Sequence, residues 1–575
     1  AIRRREMTRH AGAPYGFLLL ICTMGIIAMA DERMTAPYEG DEQPLGDVAD
    51  NGVNILLDHA HQFLFFTAWD VPPAIRSGGF RVVSSQATLD TVLAPGGASR
   101  VRITQGDHRP FGWWENPAYN AIITYQVDPK AQPYLPEEIA AVRAFVEGGG
   151  GLVMIGGGRP SEDAAERWPI NDLAAEFGAR FTHRRTSVSK PDDAPRHGIA
   201  TPLTLPDGAE AGAIEVDGAW TPLLGDDAPV LARRKFGAGR VLVISDLDML
   251  KCSDMGDGAD AINRAFLTLA LQWVTADSEP AGGDRRLPRE AWGGGAIYPE
   301  MEASVGQVTV FYARNQPAWM LDVIRDDMPE VKRTIESWLP SAPSDEGMHL
   351  ILSAGAGGGW AVNIYTPKEV GIIALDREAI LSIFAHELAH TMDDGPPGAG
   401  GKIGGRMPWP YSEAHAGWFQ GKIEELRTGA RGGHDPNATL NDDPDHRTVD
   451  LTALENRGPD NGIAWRKLWW IWQKLDDQYG PTWYARWLWV KNTRWGDTPD
   501  RALTWDDVVE DMSIAVGEDL FAFFSDIGTT LGRERLGEVE FLGARLSLPA
   551  AVIELTDGGD ARLEPIDDDY RRPWR

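Results

Sequence analysis

The chain has 575 residues, of which 43% are hydrophobic and 24% charged, and 85 Asp and Glu against 55 Lys and Arg give a net charge of −30. This length exceeds what a single core needs, and the composition excludes a disordered chain, a collagen and a polytopic membrane protein. The acidic balance repels phosphate, so we expect no nucleic-acid partner.

The first thirty residues have the layout of a secretory signal peptide. A basic start is followed by an apolar run over 17–30 that ends in Ala-Met-Ala. The basic start contains Arg3, Arg4, Arg5 and Arg9. The pattern predicts a signal peptide over 1–30 and a secreted or periplasmic protein with no stable membrane insertion after cleavage. The alternative is an uncleaved membrane anchor, for which the run is shorter than the about 20 residues that span a bilayer.

The two cysteines are Cys22 and Cys252, and the first lies inside the predicted signal peptide. A processed chain would keep one thiol, which excludes an internal disulfide and a cysteine-ligated metal site. Polar residues with Pro and Gly over 31–52 predict a linker ahead of the first domain.

Strands alternate with helices over residues 53–277, which predicts an α/β domain with a parallel sheet. The predicted strands cover 53–58, 80–84, 121–125, 152–155 and 241–245, and the predicted helices cover 136–147 and 259–275. Proline and two glutamates begin the first of these helices, and a run of glycines ends it.

Three segments of this domain carry a family resemblance: "ILLDHAHQ", "EEIAAVRAFVEGGGGLVMIGGG" and "FGAGRVLVISDLDML". They resemble the class I glutamine-amidotransferase-like domains of flavodoxin-like type. Working enzymes of that family place a cysteine on the turn after the strand that 152–155 matches, where this chain has Gly156-Gly157-Gly158. The resemblance therefore implies a non-catalytic scaffold or binding module, and Cys252 is expected to pack as a small hydrophobe. The glycine turn is either a plain tight turn or a cradle for an anion.

A second linker and a second domain follow. Prolines and glycines over 278–300 predict the linker. Residues 301–540 combine short strands, near 308–311 and 350–352, with a long helical part, which predicts a mixed α+β, mainly helical domain. Weak alternation in the tail over 541–575 predicts a short strand pair.

The decisive motif of the second domain is His-Glu-x-x-His at 386–390, preceded by a predicted strand over 370–375. Asp376 suits the N-cap of a helix that carries the motif. His386 and His390 are four residues apart, so both imidazoles project from one helix face and can share one cation. Glu387 is offset by one residue and can reach a water on that cation. This is the arrangement of zinc peptidases.

A catalytic zinc takes three protein ligands, and the third ligand sets the subclass. A metzincin is excluded because Asp393 and Pro396 stand where that subclass needs Gly and His. The favoured ligand is Glu413, which follows His390 after 22 residues and lies on a helix that Ser412 or Pro410 would begin.

His415 is the competing ligand for the third position. Asp393 and Asp394 lie one turn past His390, where they would either hold an imidazole N–H or cap the helix as solvated residues.

Four further segments resemble the enhancin-like zinc peptidases of the gluzincin class: "HELAH", "SEAHAGWF", "LWWIWQKLDDQYGPTWYARW" and "SIAVGEDLFAFFSDIGTTL". The resemblance covers about 301–535. It implies a gluzincin metallopeptidase fold, a Zn2+ cofactor and a protein or glycoprotein substrate, because family members cleave mucin-type glycoproteins.

The expected chemistry is hydrolysis of a peptide bond. Zinc held by His386, His390 and Glu413 would polarise a water, and Glu387 would accept its proton as general base. The candidates for a donor to the oxyanion are Tyr411, His415 and His434, and Asp394 is the candidate for an outer contact to a ligand. The alternative function is a non-catalytic protein that binds a glycan or peptide on a peptidase scaffold.

Two features remain open between two interpretations. The stretch 349–353 is expected either as an edge strand to which substrate backbone adds or as an ordinary strand followed by a glycine loop over 355–359. Nine tryptophans between 465 and 505 would either pack in the core, as their helical spacing favours, or form a glycan-binding surface. The acidic run over 441–445 is read as a solvated loop rather than a calcium site, because its spacing is not that of an EF-hand.

Overall fold

The computed structural model describes most of the chain between residues 50 and 547. The described ranges are 50–102 without 65, 66 and 69, then 111–128, 131–157, 168–188, 209–250, 259–280, 297–338, 348–353, 355, 358–362, 369–374, 376–392, 406–429, 448–454, 459–495, 501–541 and 544–547. Several predictions lie outside these ranges. They concern the signal peptide, most of both linkers, Cys22, Cys252, Asp393, Asp394, His434 and the acidic run at 441–445.

A seven-stranded sheet forms the centre of the first part, in the order β2-β1-β5-β6-β11-β10-β9. Its strands are β1 (Asn54–Asp58), β2 (Arg81–Ser85), β5 (Ala121–Gln126), β6 (Gly151–Gly156), β9 (Thr221–Leu224), β10 (Leu231–Phe236) and β11 (Gly239–Ile244). The first five in that order are parallel, as predicted. The β9 and β10 strands are antiparallel and were not predicted.

Helices cover both faces of this sheet because its buried strands are apolar on both sides. On one face, Ile55 and Leu57 pack with α1 (Val71–Ser77) and α5 (Ala259–Val274). On the other face, Leu56 packs with the remaining helices. These are α2 (Leu89–Leu93), α3 (Pro136–Glu147) and α4 (Ile170–Glu176). Two hairpins complete this part: β3 (Ala98–Arg102) with β4 (Phe111–Glu115), and β7 (Ala179–Val188) with β8 (Ala209–Val216).

A five-stranded mixed sheet begins the second part, in the order β12-β13-β14-β16-β15. The strands are β12 (Met301–Val305), β13 (Val308–Tyr312), β14 (His349–Ser353), β15 (Gly358–Val362) and β16 (Glu369–Ile373). Of the two interpretations of 349–353, the ordinary strand is correct and the edge strand is wrong, because β14 pairs with β13 on one side and β16 on the other. The two edge strands of this sheet are β12 and β15, and β15, which is antiparallel to β16, comes from the glycine-rich run at 355–359.

Eight helices of the described chain follow or flank this sheet. They are α6 (Ala318–Asp326), α7 (Met328–Trp338), α8 (Arg377–Met392), α9 (Tyr411–Thr428), α10 (Pro459–Tyr479), α11 (Thr482–Trp495), α12 (Trp505–Val516) and α13 (Phe521–Asp526). All nine tryptophans between 465 and 505 belong to one hydrophobic core or pack against it, and Trp472, Trp483 and Trp487 are fully buried. Core packing is therefore the correct interpretation.

A short hairpin of β17 (Glu538–Phe541) and β18 (Ala544–Ser547) lies where the predicted tail begins. Within the described residues, each helix is too short or too polar to cross a membrane.

Candidate metal centre

The helix α8 carries the first two candidate ligands, and its sequence explains where it begins. The Oδ1 atom of Asp376 accepts a hydrogen bond of 2.9 Å from the backbone N–H of Ala379, which caps the first turn. Ile380, Phe384 and Leu388 are buried in the core of the second part. This apolar stripe sets the rotation of α8 about its axis and so the direction of its polar residues.

The helix α9 carries the third candidate ligand and packs beside α8. It begins at Tyr411, directly after Pro410, so Glu413 lies in its first turn. The Nε2 atoms of His386 and His390 are 3.3 Å apart. They lie 3.4 and 3.6 Å from the two carboxylate oxygens of Glu413. The three predicted ligands therefore meet at one point between the helices.

These distances fit a tetrahedral metal ion. Zinc bonds to histidine nitrogen and carboxylate oxygen of about 2.0–2.2 Å place neighbouring ligand atoms roughly 3.3–3.5 Å apart. The three observed separations run from 3.3 to 3.6 Å. Two imidazoles and one carboxylate also form a common ligand set of catalytic zinc, which leaves a fourth position for water.

Side chains of α8 and α9 orient both imidazoles through their Nδ1 atoms. The Nδ1 of His386 donates to Oε1 of Gln420 at 3.1 Å, and the Gln420 amide donates in turn to the hydroxyl of Ser382. The Nδ1 of His390 lies 3.1 Å from the hydroxyl of Ser412. A proton on Nδ1 of His386 leaves the Nε2 lone pair directed toward Glu413, as a metal ligand requires.

The electrostatics of this point favour a positive charge. Burial acts to lower the pKa of His386, but Glu413 and Glu387 outweigh burial and raise it. For Glu413, burial acts to raise the pKa, but His386 and His390 hold it below the ordinary value. A cation at this position would meet a carboxylate that is already ionised at neutral pH.

The predicted general base, Glu387, lies beside the ligand set and is 4% exposed. Burial is the main cause that raises its pKa to about 8, and the nearby carboxylate of Glu413 adds to the effect. The edge strand β15 passes directly over this side chain. A Cβ atom at position 359 would lie 2.6 Å from Oε1 of Glu387, so glycine at 359 makes room for the carboxylate.

The structure places two other candidates away from this point. His415 is fully buried, where its Nε2 donates to the backbone carbonyl of Ala389 at 3.2 Å and its Nδ1 contacts the hydroxyl of Tyr484. It belongs to the packing between the helices rather than to the ligand cluster. Tyr411 is also fully buried, stacks on His415, and accepts a hydrogen bond from Lys491. Both side chains therefore lie in the core, on the side of α9 away from the candidate ligands, where they contribute to the packing of α8 against α9.

Two residues that contact the imidazoles were missed by the sequence reasoning, namely Ser412 and Gln420. The expected contacts, Asp393 and Asp394, lie outside the described residues together with His434. One signal for Gln420 was present, because it follows Glu413 by seven residues, or two helical turns, and so shares its helix face.

Comparisons with known proteins do not show which family the chain belongs to. No protein-family model matches it, and no curated protein matches it. A cytoplasmic protein from Salmonella typhimurium LT2 is 16% identical with a TM-score of 0.26, and the match covers 39% of this chain and 99% of that protein. The N-terminal domain of mmIFT52 is 13% identical with a TM-score of 0.26, over 39% and 97% of the two chains. The exo-beta-1,4-mannosidase Op5Man5 from Opitutaceae bacterium strain TAV5 is 14% identical with a TM-score of 0.24, over 40% and 36%. Scores this low carry no inference about fold or function.

Proposed function

We propose that this chain is an exported, zinc-dependent endopeptidase of the gluzincin class. The observation that supports it best is the convergence of His386, His390 and Glu413 at separations of 3.3–3.6 Å, with Glu387 beside them. The substrate class that we propose is protein or glycoprotein, on the strength of the enhancin-like segments in the sequence. Export is proposed from the basic and apolar pattern of residues 1–30.

The proposed chemistry divides between the metal and the chain. Zinc held by these three side chains supplies a Lewis acid that polarises water and a carbonyl oxygen. Glu387 accepts a proton from the water that attacks the peptide carbonyl and then donates that proton to the leaving amine. Without a cation beside it, Glu387 has a pKa raised to about 8 by burial, and a bound zinc would lower that pKa, so that the ionised carboxylate accepts the proton. Gln420 and Ser412 keep the two imidazoles in place throughout.

The strand β15 is the element that we propose for substrate binding. It lies at the edge of the sheet, and its Gly359 contacts Glu387. An extended peptide that paired with this edge would run alongside the general base, held by backbone hydrogen bonds that tolerate many side chains. This assigns to β15 the role that the sequence suggested for β14.

We also propose a finer description of the two parts. The first part would be a flavodoxin-like domain of the non-catalytic amidotransferase-like type, which the order of its parallel strands supports. The second part would be a gluzincin domain, which the strand–helix–helix arrangement of β16, α8 and α9 supports.

Metal analysis and a digest together test the proposal. The purified chain is expected to hold about one zinc per molecule, and it should cleave proteins in a mixture that contains O-glycoproteins, with new termini identified by labelling. Glu387→Gln should keep the zinc and lose a hundredfold or more of the activity, in line with the about 10²–10⁴-fold contribution of a general base. His390→Ala should lose both.

The matched control is Glu378→Gln, which makes the same change on the exposed first turn of α8. It should leave zinc content and cleavage as in the wild type. A wild-type chain that binds no zinc, or a Glu387→Gln chain as active as the wild type, would contradict the proposal.

A further inference from the structure

The two faces of the five-stranded sheet are covered by different parts of the chain. Side chains alternate between faces along a strand, so Leu350 and Leu352 pack in the same core as α8 whereas Ile351 does not. Ile351 and Trp360 face the opposite side, in a separate cluster that includes Phe63 from the first part of the chain. The remaining members of this cluster are Ala68, Tyr298, Phe311 and Ile373.

The two parts of the chain are in direct contact at β15. The ring of Phe63 stacks on the indole of Trp360, with centroids 5.4 Å apart and an interplanar angle of 27°. The backbone of Phe63 also forms a parallel bridge with Gly355, at a distance that leaves no room for a side chain at 355. Phe63 thus makes both a close backbone approach and a ring stacking contact, which are the marks of a well-packed interface.

The loop that carries Phe63 follows β1 and crosses the carboxyl end of the neighbouring strand β5. The backbone carbonyl of His61 accepts from Gln132, and the side chain of Gln62 accepts from Val127, both beyond the end of β5. The order of strands reverses between β1 and β5, which is where open parallel sheets form a crevice for ligands. In this chain the mouth of that crevice meets the second sheet.

Strand β15 therefore lies between two partners. Gly359 faces α8, where a Cβ atom would contact both Glu387 and Ile383. Trp360, the next residue, faces Phe63 on the opposite side. Since the strand is at the edge, β16 is the one strand among the described residues that holds it by backbone pairing, and the stacking on Phe63 fixes its position relative to the sheet.

We infer that the first part of the chain acts as a positioning element for the candidate active site, with Phe63 as the positioning residue and β15 as the strand that it holds. In other parallel sheets this crevice binds ligands. In this chain the loop at the crevice packs against the second part instead. This inference rests on the proposed function for its catalytic consequence, but its structural content does not. Loss of the Phe63 ring should loosen β15 and, through Gly359, the placement of Glu387.

Hydrogen exchange of the full chain tests the inference without reference to catalysis. Backbone amides of β15 are followed by mass spectrometry in the wild type, in Phe63→Ala and in Phe63→Leu. We expect them to exchange at least about tenfold faster in Phe63→Ala, because a lost buried ring removes packing that local opening must otherwise break. Phe63→Leu keeps most of the side-chain volume and should fold even if Phe63→Ala does not. Its β15 amides should also exchange faster than in the wild type, but by a smaller factor.

Phe177→Ala is the matched control, because Phe177 is a fully buried phenylalanine of the first part that belongs to a different cluster. It should reduce thermal stability without changing exchange in β15. The same variants are assayed for cleavage. Phe63→Ala should lower kcat about tenfold while its zinc content stays unchanged. General destabilisation of the chain would not lower kcat and leave the zinc content unchanged.

Exchange in β15 that is equal in Phe63→Ala, Phe63→Leu and the wild type would overturn the inference. So would a Phe177→Ala chain with the same increase in β15, because the effect would then reflect the stability of the whole first part. A wild-type chain without proteolytic activity would refute the proposed function alone, since the exchange comparison would still decide whether β15 depends on Phe63.

Discussion

At the scale of single residues, the candidate metal centre depends on which ring nitrogen of each histidine already has a hydrogen-bond partner. Gln420 and Ser412 contact the Nδ1 atoms, so both Nε2 atoms face Glu413. Such contacts limit the rotation of a ligand ring and raise its basicity. The metal would therefore meet ligands that are already oriented, at a smaller cost in side-chain entropy.

The substitution Gln420→Ala should weaken zinc binding by about 10- to 100-fold, the usual effect of removing a partner of a ligand histidine. The reason is that His386 would lose the acceptor that fixes its tautomer. Competition with a chromogenic chelator measures the affinity. Gln478→Ala, on the exposed face of α10, is the control and should bind zinc like the wild type. Equal affinity in both variants would show that Gln420 does not orient the ring.

At this scale the sequence predicted which candidate ligands come together more fully than it predicted their surroundings. His386 and His390 follow from spacing along one helix, and Glu413 was the favoured third ligand. Ser412 and Gln420 reach the imidazoles only because α9 packs against α8 at a particular angle, which no local pattern encodes. His415 was weighed as a ligand by proximity to Glu413 in sequence, yet a difference of two residues turns a side chain to the other side of a helix.

A buried ion pair in the first part provides a pH-dependent prediction. The Nδ1 of His61 lies 2.7 Å from Asp58, and both side chains are fully buried. Burial acts to lower the pKa of His61, but the carboxylates of Asp58 and Glu138 outweigh it and raise the pKa from 6.5 to about 10. The folded chain thus keeps a proton that the unfolded chain releases above pH 6.5. The stabilisation is complete below pH 6.5 and is lost as the pH rises to about 10.

His61→Gln should therefore destabilise the chain by about 3–5 kcal/mol near pH 6, the cost of leaving a buried carboxylate without its partner. The difference in free energy of unfolding between the wild type and this variant should shrink as the pH rises toward 10. Denaturant titrations at several pH values measure it. A difference that stays constant or grows with pH would contradict the raised pKa.

At the scale of elements, the edge strand β15 joins the sheet to Glu387, the proposed general base. Its sequence, Gly-Gly-Trp-Ala-Val, begins with residues of low strand propensity, so the glycine-rich run was read as a loop. Tertiary packing overrides that propensity, because glycine alone at 359 lets the strand lie on α8 beside Glu387. The apolar stretch 349–353 was recognised as a strand, but its place in the sheet depends on long-range pairing that the local pattern does not contain.

Gly359→Ala should strongly reduce the proposed peptidase activity while the fold and the proposed zinc binding are retained. The added methyl would lie 2.6 Å from both Cγ and Oε1 of Glu387, closer than real contacts allow, so the general base must move. A displacement of about 1 Å in a catalytic group can cost about a hundredfold in rate. Steady-state kinetics and metal analysis of the variant measure both quantities.

The control for this substitution is Gly462→Ala, where no heavy atom lies within 4 Å of the added Cβ. It makes the same change within α10 and should leave the rate unaltered. A Gly359→Ala chain with wild-type kcat would mean that β15 does not constrain Glu387.

At the scale of the whole molecule, apolar contacts and ion pairs both join the two parts. Arg314 pairs with Asp90 at 2.5 Å near the surface, and the buried guanidinium of Arg100 pairs with the half-exposed carboxylate of Glu302 at 2.7 Å. Pairs near the surface contribute about 0–1 kcal/mol each, whereas burial of a large apolar side chain contributes about 1.5–3 kcal/mol. The cluster around Phe63 and Trp360 should therefore dominate the association. The sequence predicted two parts from a change of composition, but it could not predict that they share a core.

The second part expressed alone, as residues 301–547, should be poorly soluble and should bind a dye that reports exposed apolar surface. Removal of the first part would uncover four buried side chains on one face of the sheet: Phe311, Ile351, Trp360 and Ile373. A contiguous apolar patch of this kind promotes aggregation. Co-expression with residues 50–280 should restore solubility, because the fragment would again cover that face. Light scattering and dye fluorescence of the isolated fragment measure the effect, and a monodisperse fragment with low dye binding would show that the second part does not need the first to complete its core.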